Sequence, residues 1–113
     1  MVMMFWSYRV PDWDTWANSL RFINEEDAGA RERRDRYGML RRWVYRSVDD
    51  PNEVMMVAEF TSRRGAEALL QDSEGMRRWN ERTGLEVFPP VLITEEVAEL
   101  NWARQLLCLL PLP

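Results

Sequence analysis

Residues 3–10, Met-Met-Phe-Trp-Ser-Tyr-Arg-Val, form an apolar and aromatic run closed by Pro11. The run reads as a strand, because a proline cannot extend a hydrogen-bonded ladder. Side chains alternate along a strand, so Met4, Trp6, Tyr8 and Val10 share one face and Met3, Phe5, Ser7 and Arg9 the other. Asp12 follows at a helix N-cap position, and Asp14 suits the positive end of the helix dipole. Trp13, Trp16, Leu20 and Ile23 then recur at spacings of three, four and three. That is the apolar stripe of a helix running to about Asp27 or beyond. An Arg-rich stretch interrupted by Gly29 continues to Tyr37-Gly38.

Residues 39–48 and 53–60 are two further strand-like runs, separated by the turn formers Asp49-Asp50-Pro51-Asn52. A hairpin in which Val48 pairs with Glu53 puts Met39, Arg41, Trp43, Tyr45 and Ser47 on one face with Val54, Met56, Ala58 and Phe60. Leu40, Arg42, Val44, Arg46, Met55, Val57 and Glu59 take the other face, where Arg42 opposes Glu59 as an ion pair. Thr61 or Ser62 caps a second helix with the stripe Ala66, Leu69 and Leu70. Asp72-Ser73 restarts that helix through Met76 and Trp79 to a stop at Gly84. Pro89-Pro90 stiffens a connector into a fourth strand over residues 91–97, and residues 100–110 suggest a short amphipathic helix stopped by Pro111.

The order β-α-β-β-α-β predicts an α+β, ferredoxin-like domain: four antiparallel strands with helices on one side. We assign it residues 1–99, with an apolar extension over residues 100–113 expected to cover its own pocket or cross onto a partner subunit. The hairpin's second face would leave Leu40, Val44, Met55 and Val57 wet, which predicts a homodimer formed through that face.

Composition narrows the chemistry. At 113 residues the chain is the size of one domain, and no apolar run reaches the ~20 residues of a spanning helix. With no basic leader region, a cytoplasmic location is expected. The chain contains no His, and all fifteen of its basic residues are Arg. This removes His triads and bases, the usual His-containing metal sites and every Lys Schiff-base mechanism. No metal is expected. Cys108 stands alone and forms no internal disulfide. A net charge of −4 argues against general nucleic-acid binding, and a tail with the single basic residue Arg104 argues against a membrane surface. The basic segment from Arg31 to Arg46 reads most simply as a solvated helix end.

Six Trp in 113 residues exceed what a core of this size requires. Trp6, Trp16 and Trp43 fall on faces assigned to the helix–sheet interior, and with Tyr8 and Tyr45 they would wall a flat, apolar cavity for an aromatic ligand. Plain core packing uses the same residues. Tyr8 and Tyr45 are the candidate catalytic groups, either as proton acceptors assisted by a nearby cation or as donors to a substrate carbonyl. Arg41, on the same expected face, would supply the charge, or would merely snorkel. Met56 and Trp79 complete the expected substrate contacts.

The segments Arg9-Val10-Pro11-Asp12-Trp13-Asp14-Thr15-Trp16, residues 44–54 with the turn Asp49-Asp50-Pro51-Asn52-Glu53, and Ala58-Glu59-Phe60 resemble the dimeric α/β-barrel proteins of the antibiotic biosynthesis monooxygenase superfamily, cyclase relatives included. The resemblance covers roughly residues 3–99. It implies a sheet-to-sheet dimer with a pocket in each subunit. It also implies oxygenation or cyclisation of polyketide-like aromatic compounds without metal or flavin cofactor, or ligand binding alone. Tyr8 stands where many relatives carry His on the first strand, so any proton-transfer role there passes to a phenol. The haem-degrading branch ligates iron through a His that this chain lacks. Two other readings share the same residues: a non-catalytic ligand-binding dimer, and a structural or partner-binding dimer.

Overall fold

Asp12 opens the first helix by accepting the Thr15 N–H at 3.0 Å through Oδ2, the exchange that satisfies an otherwise orphaned amide of the first turn. The computed structural model describes residues 1–98, and in it the chain runs β1 (Val2–Arg9), α1 (Trp13–Glu25), α2 (Ala28–Tyr37), β2 (Met39–Arg46), β3 (Glu53–Phe60), α3 (Arg63–Gln71), α4 (Ser73–Thr83) and β4 (Leu92–Glu95). The expected tail helix and the domain boundary at residue 99 lie outside the described residues. Each expected helix is divided in two by an aspartate. Asp27 Oδ1 accepts from Ala30 N at 3.1 Å and starts a new helix where the first was expected to run on, and Asp72 Oδ1 accepts from Gly75 N at 3.1 Å, the restart expected at Asp72-Ser73. Ser62, not Thr61, caps α3.

The sheet order is β2-β3-β1-β4, and every neighbouring pair is antiparallel. This is the ferredoxin-like α+β arrangement expected above. Its core lies on one face, where Met4 and Trp6 of β1 and Met56, Ala58 and Phe60 of β3 pack against Trp16 of α1 and against Ala66 and Leu69 of α3. Fully burying a side chain such as Met4, Trp16, Met56 or Phe60 contributes roughly 1.5–3 kcal/mol before entropy is counted.

The hairpin register differs from the expected one. Arg46 pairs with Val54, Val44 with Met56 and Arg42 with Ala58, one position from the alignment of Val48 with Glu53. A one-residue slip exchanges the two faces of a strand. Arg42, Val44 and Arg46 therefore turn toward the helices, while Arg41, Trp43 and Tyr45 stand on the outer face beside Met55, Val57 and Glu59. Two causes are visible. Ser47 Oγ accepts from Asp49 N and Asp50 N, both at 3.2 Å, so Ser47 belongs to the turn and not to the strand. At the other end the pairing is irregular between Met39 and Arg41, leaving Leu40 as the extra residue. The expected Arg42–Glu59 pair is accordingly replaced by Arg41–Glu59.

Gly38 closes α2 with φ of 74°, and a Cβ there would stand 2.3 Å from Thr61 Oγ1. The tight passage from helix to sheet depends on that missing atom.

Candidate functional site

Alternation along β1 brings Trp6 and Tyr8 to the helix-facing side, opposite Met56 and Val54. Trp6 and Met56 are buried and Tyr8 half-buried. The Tyr8 hydroxyl donates to Met56 Sδ at 3.6 Å. Its ring meets Trp16 edge-on, with centroids 6.0 Å apart and planes at 74°. Trp16 also contacts Trp13 at 5.5 Å, and Trp6 contacts Phe88 at 5.7 Å. The four expected interior residues Trp6, Tyr8, Trp16 and Met56 thus form one aromatic cluster. Trp13, from the same helical stripe as Trp16, joins it, and so does Phe88, whose placement linear spacing does not reveal.

Burial pushes the Tyr8 phenol well above its usual value near 10.0, against the opposing influence of the Trp16 indole and the positive charge of Arg42. Tyr8 is therefore a protonated hydrogen-bond donor at neutral pH.

The cluster also has a surplus of donors. Among the described residues, the indole Nε1 atoms of Trp6, Trp16 and Trp79 are buried without an acceptor; the only buried side-chain oxygen in the same state is Oδ1 of Asn80. Unpartnered buried polar groups are uncommon, because each forfeits its hydration without replacement.

The register slip adds a residue to the interior that sequence reasoning missed. Arg42 extends from β2 over the face of Trp79, with its guanidinium carbon 5.2 Å from the ring centroid. Burial lowers its pKa to about 10, and the nearby charge of Arg34 acts in the same direction. A cleft of about 420 Å³ opens between α1, α2 and β2, lined by residues that include Leu20, Arg34, Met39, Arg42 and Val44. Arg42 shares its face with a second arginine, Arg46, whereas Arg41 shares its face with Met39, Trp43 and Tyr45, so hydropathy points inward for Arg41 and not for Arg42.

Arg41, Trp43 and Tyr45 do not enter this interior. Arg41 Nε and Nη2 donate to the Glu59 oxygens at 3.2 and 3.1 Å, and its guanidinium lies 5.2 Å from the Trp43 centroid. Tyr45 is 52% exposed. Tyr8 and Tyr45 contribute to a common recess of about 430 Å³ at the hairpin end of the sheet, but their side chains leave opposite faces. Among the described residues, no three His, Cys, Asp or Glu side chains gather in a metal-holding group. No helix there is long and apolar enough to cross a membrane.

This ferredoxin-like fold is similar to that of solved structures described as antibiotic biosynthesis monooxygenases. A protein from Bordetella bronchiseptica assigned to that class superposes with a TM-score of 0.67 at 13% identity, over 86% of this chain and 97% of its own. A second, from Nitrosomonas europaea, gives 0.61 at 15% identity, over 87% and 100%. A monooxygenase from Streptomyces coelicolor, solved with the ligand nanaomycin D, gives 0.63 at 13% identity, over 88% and 89%. No protein-family model matches the chain, and no curated protein matches it. At these identities the likeness is one of fold.

Proposed function

We propose that this chain is an enzyme acting on an acceptor-rich aromatic or polyketide-like compound, as a cofactor-independent monooxygenase or a cyclase. The observation that carries the reading is the donor surplus on the helix-facing side: the buried indole N–H groups of Trp6 and Trp79 lack acceptors, and the Tyr8 phenol, which the Trp16 indole adjoins, is held protonated by burial. Such donors match a flat molecule that presents carbonyl oxygens, which accept hydrogen bonds and stack on aromatic rings. The fold is shared with a monooxygenase solved with nanaomycin D, and the absence of His and Lys leaves carboxylate, phenol, indole, guanidinium and backbone groups to act.

In this reading Tyr8 donates to a substrate carbonyl oxygen. As the substrate releases its acidic proton to bulk solvent and becomes an enolate or phenolate, charge grows on that oxygen and the Tyr8 hydrogen bond strengthens, which favours the electron-rich form. That form is the species that reacts with dioxygen or closes a ring. Trp6, Trp16, Met56 and Trp79 hold the aromatic body and exclude water. A second copy of the chain covers the outer face, where Trp43, Tyr45, Met55 and Leu92 form an apolar surface beside Val57.

Oxygen uptake in air with anthrone, whose carbonyl enolises readily, tests the reading, with mass spectrometry of the product. The wild-type protein is expected to consume oxygen and Tyr8→Phe to lose at least a hundredfold in kcat, within the range for a positioned proton donor, while its affinity changes less than threefold. Equal turnover by both proteins would remove Tyr8 from the mechanism. A ligand-binding dimer without turnover is the second reading. It is favoured by one observation: burial, with no carboxylate acting on Tyr8, leaves that phenol no route to a base.

A further inference from the structure

Three arginines among the described residues are partly buried: Arg33, Arg34 and Arg42. Arg33 Nε donates to Asp72 Oδ2 at 3.0 Å. Arg34 is committed to the end of α1, donating to the Ile23 and Asn24 carbonyl oxygens, each at 3.3 Å. Arg42 differs. Among the described residues it has no hydrogen-bond acceptor and no ion-pair partner, and its close contact is the face of Trp79 at 5.2 Å. An aromatic face attracts a cation but does not offer the pair of acceptor oxygens that a guanidinium fork matches.

The surroundings sharpen the imbalance. Arg34 lies close enough to disfavour the charge on Arg42, and Arg31 stands on the same cleft wall. The wall carries one carboxylate, Asp35, which is exposed. Two neighbouring cations drawn out of water are costly unless an anion joins them. The rest of the wall, with Leu20, Met39 and Val44, is apolar. At about 420 Å³ the cleft falls in the ~300–1,000 Å³ range of small-molecule sites.

We propose that the cleft between α1, α2 and β2 binds an apolar molecule bearing a carboxylate, with Arg42 as the ligand-binding residue that receives the carboxylate. The proposal rests on the small-molecule reading above; the cleft is a separate contact region from Trp6, Tyr8, Trp16 and Met56, which do not line it. Arg42 supplies two parallel N–H donors to the carboxylate oxygens, while Leu20, Met39 and Val44 take the apolar body. Arg34, held by the α1 carbonyls, adds positive potential without being the primary contact.

The test compares 2-naphthoate with 2-naphthamide, a neutral molecule of nearly the same shape, by isothermal titration calorimetry on the full-length protein. Wild type is expected to bind the carboxylate at least tenfold more tightly than the amide. In Arg42→Gln the ratio should fall to within about twofold, in Arg42→Lys it should be intermediate, and in Arg64→Gln, an exposed arginine of α3, it should be unchanged. Thermal melting checks that each variant is folded; should Arg42→Gln not fold, the fall of the ratio in Arg42→Lys decides. Equal binding of both probes by wild type, binding of neither, or a preference that survives in the Arg42 variants would overturn the proposal. The readout involves no turnover. A protein that prefers naphthoate but consumes no oxygen with anthrone would refute the oxygenase reading and keep this one, whereas oxygen uptake without charge preference would do the reverse.

Discussion

Arg41 and Glu59 meet across β2 and β3 in a two-pronged contact, Nε to Oε1 at 3.2 Å and Nη2 to Oε2 at 3.1 Å. The carboxylate is buried within the outer sheet face, whereas the Arg41 side chain is 64% exposed. Arg41→Ala leaves that carboxylate without its cation. Because solvent screens the exposed partner, the expected cost is about 1 kcal/mol, well short of the 3–5 kcal/mol of a fully buried pair. Urea unfolding measures it. A variant as stable as wild type would show that the pair does not anchor the register.

The outer face predicts the oligomeric state. Met55 is 41% exposed on it, so Met55→Arg is tolerated by the isolated fold yet places a charge in the middle of any sheet-to-sheet contact. Sedimentation of wild type should give twice the 13.5 kDa chain mass, and Met55→Arg should give the chain mass itself with a melting temperature changed by only a few degrees. Wild-type protein that sediments as a monomer at micromolar concentration would contradict the dimer.

Tyr8 predicts an alkaline response. Its folded pKa lies above the usual value near 10.0, so the unfolded chain ionises first as pH rises. The corresponding stability is fully present below about pH 10 and is lost progressively above it. Tyr8→Phe should therefore flatten the decline of stability between pH 10 and 11, and it should remove a late-ionising phenol from an absorbance titration. At pH 7 the loss of its weak bond to Met56 should cost less than about 1 kcal/mol.

Asp72 predicts an acid response of opposite sign. Its carboxylate is held below the ordinary value of 3.8 chiefly by the Gly75 amide, with further help from the Tyr37 hydroxyl at 3.0 Å and from Arg33, and against partial burial. A depressed folded pKa contributes stability above the unfolded value that disappears as pH falls through the folded one. Asp72→Ala should lower the melting temperature at pH 7, and the gap from wild type should narrow below about pH 3.8. A gap that is constant with pH would assign the effect to packing alone.

Gly38→Ala combines a left-handed backbone with a contact 2.3 Å from Thr61 Oγ1. A loss of about 1–3 kcal/mol is expected by denaturant titration, and Thr61→Ser/Gly38→Ala should recover little of it, because the hydroxyl and the backbone strain both persist.

Much of this was legible in the linear pattern, for a local reason. The faces of β1, the Asp12 cap, the apolar stripe of α1 and the stop at Gly84 each depend on residues within a few positions of one another, so the α+β order and the interior placement of Trp6, Tyr8 and Trp16 followed from sequence alone. The register of β2 did not follow. One of its faces carries Met39, Trp43 and Tyr45 with a single arginine and the other carries two arginines, so hydropathy points to the face that the structure turns outward. The choice was made by the Ser47 hydroxyl folding back onto the turn, by the extra residue Leu40 and by the pairing of Arg41 with Glu59. That single slip moved Trp43 and Tyr45 to the outer surface and carried Arg42 inward to Trp79. Which arginine faces the candidate site was a tertiary decision, because strand register is set by contacts between segments that the chain order does not bring together.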